Sequence, residues 1–68
     1  MDIVSEVLKT KEVEEVRQTQ RNGEGGVSIS FYRTALVLFL CLEENGDGLQ
    51  IILFDGPKDI YRKFIPTR

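Results

Sequence analysis

A chain of 68 residues has room for one domain, and a domain of that size buries only about 60% of its unfolded surface, so it is marginal alone and suited to association with a second copy. Hydrophobic residues make up 41% and charged residues 29%, a composition that excludes a disordered chain. With no histidine and one cysteine, Cys41, the chain cannot form an internal disulfide, has no ordinary zinc ligand set, and lacks the cysteine–histidine and serine–histidine pairs of nucleophilic catalysis.

The net charge of −2 alternates along the chain. Residues 1–16 hold five acids and two lysines, and residues 17–33 hold three arginines and one acid, Glu24. Residues 34–55 hold four acids and no base, and residues 56–68 hold four bases and Asp59. An acidic chain of this kind can still offer a local positive field to a polyanion, while not binding polyanions indiscriminately.

Residues 1–11 read as a short amphipathic helix. Ile3, Val4, Val7 and Leu8 fall on one stripe at helical spacing. Asp2 and Glu6 stand in the first turn and Lys9 and Lys11 near the end, the arrangement the helix dipole favours. The polar face is not basic, so the stripe suits packing or association, not a membrane surface.

The stretch 17–33 follows, with Arg17 and Arg21 on the same face of an extended segment. Gly23-Glu-Gly-Gly26 supplies a reversal. Val27, Ile29 and Phe31 then alternate with Ser28, Ser30 and Tyr32, the period of a half-buried strand. The whole reads as a hairpin. Its glycines lack the downstream Gly-Lys-Ser/Thr of a nucleotide-binding loop, and Glu24 at the tip would repel phosphate. The strands are therefore the candidate contact surface.

The run 35–42 is apolar at every position, so its period is silent. Ala35 and four leucines favour helix, and the reading is a short buried helix, with a buried strand as the alternative. It falls far short of the roughly 20 residues of a membrane span, and it lies mid-chain, unlike a signal segment. A cytoplasmic location is the expectation. Within it, Cys41 between Leu40 and Leu42 reads as a buried structural thiol. A turn at 43–48, a strand at 49–54, a second reversal at 55–59 and a closing strand at 60–65 complete the order. Lys58, Arg62, Lys63 and Arg68 interleave with Tyr61 and Phe64. Nucleic-acid binding is one reading of that pattern. Core aromatics with basic edge protection is the preferred one. The pairs Glu14-Glu15 and Glu43-Glu44 read as solvated acids, and no enzyme is indicated.

Taken in order and spacing, Val16-Arg17-Gln-Thr-Gln-Arg21, the turn 23–26, Val27-Ser-Ile-Ser30, Arg33, Leu42, Gly46-Asp47-Gly-Leu-Gln-Ile51 and the strand 60–65 resemble the AbrB-type swapped-hairpin family of DNA-binding domains. The resemblance covers about residues 12–66 and is nearest to archaeal members, including plasmid- and virus-encoded regulators. Two departures are that the family usually has proline where Phe31 and Tyr32 stand and glycine near Cys41.

The resemblance implies an α+β, mostly β fold. It would be a swapped-hairpin dimeric barrel of strand, strand, short helix, strand and strand over residues 12–68, with residues 1–11 as an N-terminal helical extension. It implies a homodimeric, double-stranded-DNA-binding transcriptional regulator, as a dimer or a pair of dimers, with no cofactor and no metal. Carried over residue by residue, the DNA contacts are Arg17, Arg21 and Arg33, with Gln20 and Asn22 as weaker additions. The alternative is an antitoxin-like or host-factor-binding module that meets a protein partner through its acidic first segment.

Overall fold

The computed structural model describes residues 2–21, 23–43 and 46–67, and its first element starts from one carboxylate. Asp2 is extended and accepts from the backbone N–H of Ser5 at 3.0 Å, satisfying one of the open donors at the helix start. Helix α1 then runs Ile3–Thr10. Eight residues are marginal as an isolated helix, and docking supports it. Val4 and Val7 are buried, while Ile3 and Leu8 on the flanks of the stripe stay exposed.

Five strands follow: β1 Val13–Arg21, β2 Glu24–Phe31, β3 Leu36–Leu42, β4 Gly48–Asp55 and β5 Lys58–Pro66. They pair antiparallel in sequence order to form one open sheet. The protein is therefore mostly β with one N-terminal helix. The β1–β2 hairpin reverses at Gly23, whose φ of 82 is a left-handed conformation that favours glycine.

Two rows of directly opposed residues cross the sheet and define its faces. Val16, Ile29, Leu38, Leu53 and Tyr61 form one row. On this side Val4 and Val7 of α1 pack against Phe31, Leu38, Ile51 and Leu53 in the main core. Lys63 on the same side pairs with Asp2, tying the helix start to β5. The second row is Arg17, Ser28, Phe39, Ile52 and Arg62. Here Phe39, Cys41 and Ile52 form a smaller cluster with Phe54, and no helix lies over it.

Residues 36–42 correct the helix expected there. They are the central strand of the sheet, bonded to β2 on one side and β4 on the other. Leu36, Leu38 and Leu40 serve the helix side while Val37, Phe39 and Cys41 serve the other. A strand with apolar cover on both faces needs no alternation, and that packing overrides the helical preference of its leucines. As a helix the same seven residues would present apolar side chains all round with only one sheet to meet.

The sheet curls toward the uncovered face. Flat strands are spaced about 4.8 Å apart, which would put β1 roughly 14 Å from β4, yet the Arg21 guanidinium carbon lies 4.2 Å from the Phe54 ring centroid. Gly26 allows part of this closeness. A Cβ there would collide with the Leu40 carbonyl oxygen and come within 2.8 Å of Phe39 Cζ.

Candidate nucleic-acid interface

The uncovered face carries an arginine at each edge of one row, Arg17 on β1 and Arg62 on β5, with Phe39 at its centre. Alternation along β1 puts Glu15, Thr19 and Arg21 on this face beside Arg17. Together with Gln20 they line a shallow groove of about 470 Å³ whose floor includes Ser28, Ser30 and Val37. Ser28 is buried and shares a 2.7 Å hydrogen bond with Thr19, so one hydroxyl pair is fixed in the groove wall. A second depression joins Arg21 to Arg62 across Phe39, Ile52 and Phe54.

The charges of this face are partly balanced. Arg17 lies 3.5 Å from Glu15 with both side chains more than half exposed, and an exposed pair of that kind contributes little and leaves the guanidinium available. Arg62 donates from Nε and Nη2 to Asp59 Oδ2 at 3.2 and 2.8 Å. Glu24, expected to repel phosphate from the hairpin tip, instead turns its carboxylate toward β3, where it accepts from Cys41 Sγ at 3.4 Å. Burial, reinforced by that carboxylate, pushes the Cys41 thiol above its ordinary value, so it remains a protonated donor. Gln50 donates to Glu43 on the same face.

Arg17 and Arg21 are thus brought together, while Gln20 borders the groove from a position whose side chain alternates to the other face, beside Gln18. Asn22 lies outside the described residues. Arg33 is not with them. It sits in the β2–β3 turn, at the end of the sheet opposite Arg21, beside a depression lined by Lys11 and Tyr32. The helix start expected at this position is absent because residue 36 begins a strand. Arg33 has φ 60, a conformation costing a non-glycine residue about 1 kcal/mol. Thr34 braces the turn, donating to the Phe31 carbonyl at 3.3 Å and accepting from Leu36 N–H at 3.1 Å.

Arg62 joins the face, whereas the sequence alone favours edge protection for the second basic cluster. Strand parity was the available signal. Arg62 and Phe64 share one side, and Tyr61 and Lys63 the other, where Lys63 meets Asp2. No group of three or more metal-ligating side chains converges among the described residues, and none of their helices is long and apolar enough to cross a membrane. No family model, curated protein or solved structure matches the chain.

Proposed function

We propose that the chain binds double-stranded DNA through the uncovered sheet face and acts as a homodimeric regulator. The observation that carries this reading is the shared groove of Arg17, Arg21, Gln20, Thr19, Ser28 and Ser30. Guanidinium and hydroxyl donors are groups that take phosphate oxygens, and arginine's planar fork also fits the guanine edge.

The aromatic residues favour a duplex over a single strand. Single-strand binders present open rings for bases to stack on. Here Phe39 is buried, Phe54 is capped by Arg21, and only Phe64 stands half-exposed on this face. The AbrB-type resemblance supports the same assignment. The reading rests on the arginines and does not require that two chains exchange hairpins.

Changing Arg17 and Arg21 together to Ala is expected to abolish a gel shift with duplex DNA while circular dichroism stays unchanged. A retained shift overturns the assignment.

A second reading has one observation in its favour. Leu8 is 51% exposed on the acidic helix, an apolar contact point for an antitoxin-like or host-factor partner. Because Val4 and Val7 belong to the core, removing residues 1–12 would uncover that core. Leu8→Lys is the cleaner probe. Loss of a captured partner with Leu8→Lys supports this reading, and identical capture by both proteins counts against it.

A further inference from the structure

We infer that two copies of the chain join edge to edge along β1, antiparallel about a two-fold axis at Gln18, so that the two sheets become one. The inference takes the homodimer of the proposed function and names its surface.

The two sheet edges differ. β5 is blunted by Pro66, by a register irregularity opposite Leu53 and Phe54, and by the charge of Lys63 turned toward the helix side, all devices that discourage strand addition. In β1 the irregularity lies between Val13 and Glu15. Beyond it, residues 15–21 keep unbroken register with β2, contain no proline, and include no buried residue.

The backbone direction of this segment follows from its hairpin. Arg21 and Glu24 are directly opposed with two residues between them in the sequence and so form a hydrogen-bonded pair. Bonding to β2 then alternates back through Thr19, Arg17 and Glu15. Tyr32 N–H donating to the Glu12 carbonyl at 3.0 Å fits the same alternation on β2. Val16, Gln18 and Gln20 therefore point their N–H and C=O groups to the open edge.

Charge then selects the register. A two-fold between like strands must place a residue opposite itself, because opposed residues share a face. With the axis at Arg17, two arginines oppose each other directly. With it at Thr19, Arg17 opposes Arg21 of the second copy. Like charges directly opposite are destabilising. With it at Val16 or Gln20, much of the straight segment runs past its partner. With the axis at Gln18, residues 15–21 pair along their whole length. Val16 bonds Gln20, Gln18 bonds Gln18, and all three outward-pointing residues are used twice. Glu15 then faces Arg21 of the second copy, an opposite-charge pair. Arg17 faces Thr19, so its guanidinium meets no charge directly across the seam, and the two Arg17 residues become diagonal neighbours on the DNA-binding side. The second copy thus extends the same arginine-bearing face across the seam.

The test uses the full chain in a Cys41→Ser background, without DNA. Directly opposed, hydrogen-bonded residues have Cα atoms about 5.5 Å apart, within disulfide range. Residues four apart along the strand are roughly 13 Å away and out of range. Gln18→Cys is therefore expected to cross-link into a dimer under mild oxidation, and Val16→Cys is not. Gln18→Pro, which removes an outward N–H that β2 does not use, is expected to raise the dimer dissociation constant in sedimentation on the order of tenfold or more.

A chain that stays monomeric across the concentration range overturns the inference, as does cross-linking at Val16→Cys in place of Gln18→Cys. A dimer that cross-links at neither position, as one formed by hairpin exchange would, also overturns it. A gel shift retained with Arg17 and Arg21 changed overturns the DNA reading and leaves the cross-linking outcomes at Gln18 and Val16 as they are, so the seam and the DNA reading fail separately.

Discussion

The Arg21 guanidinium carbon sits 4.2 Å from the centroid of the Phe54 ring, although β1 and β4 are separated in the sheet by two intervening strands. This contact runs diagonally across the curled face, from the hairpin end of β1 to the end of β4 that pairs with Val37, and covers the apolar cluster on the face that has no helix. A cation over an aromatic ring contributes about 0.5–1 kcal/mol at a partly exposed site. A double-mutant cycle of Arg21→Ala and Phe54→Leu in urea unfolding is expected to return a coupling of about that size. Strict additivity would mean that the contact contributes nothing to the curl.

Gly26 and Gly25 are neighbours with opposite tolerances. A Cβ at Gly26 meets the Leu40 carbonyl oxygen and the Phe39 ring, whereas a Cβ at Gly25 has nothing within 4 Å. Forcing a methyl group against backbone costs about 1–3 kcal/mol, so Gly26→Ala is expected to lower the unfolding free energy by that amount. Gly25→Ala is expected to stay within about 0.5 kcal/mol of the parent. Urea denaturation of both variants checks the pair.

The Asp2–Lys63 pair makes stability depend on pH at two extremes. The hydrogen bond from Lys63, followed by the backbone N–H of Ser5, holds the Asp2 carboxyl below its ordinary value of 3.8. The same hydrogen bond raises Lys63 above its ordinary value of 10.5. A depressed acid contributes stability that is full above its unfolded value and is lost as pH falls through the folded one. A raised base contributes stability that is full below its unfolded value and is lost as pH rises through the folded one. Thermal midpoints are therefore expected to be insensitive to this pair between about pH 5 and pH 9, to drop in acid and to drop in strong base. Asp2→Asn keeps a good helix cap and is expected to flatten the acid-side drop. An unchanged acid slope in that variant would remove the pair from the account.

Much of the fold was legible because local signals agreed. The alternation of Val27, Ile29 and Phe31 marked β2, the glycines at 23–26 marked the reversal, and the acids near the start of residues 1–11 marked α1. The central strand was not legible, since a segment buried on both faces shows no period, and its leucines point to helix when its neighbours are unknown. The site inherited that gap. Arg33 was placed by an expected helix start, and the strand that replaced it left Arg33 at the far end of the sheet. For Arg62 the sequence favours edge protection over nucleic-acid binding, because its value comes from the row it shares with Arg17, a row that needs the strand order.

Separation along the sheet gives the arginines different weights. Arg17 lines the groove with Arg21, while Arg33 stands in the β2–β3 turn. Arg17→Ala is expected to weaken duplex binding and to lower the slope of log affinity against log salt by about one. Arg33→Ala is expected to change the slope by less than half of that. Equal losses in the two variants would place the interface over the end of the sheet instead of its open face.

The central claim is that the open face holds DNA through Arg17 and Arg21. Its most direct measurement is a fluorescence-anisotropy titration of random duplex DNA at two salt concentrations, with the parent chain and with both arginines changed to Ala. The account predicts binding by the parent that weakens as salt rises, and a salt slope smaller by about 1.8 in the double variant, close to 0.9 for each lost phosphate contact. A double variant that keeps its fold by circular dichroism and matches the parent in both affinity and slope would contradict it.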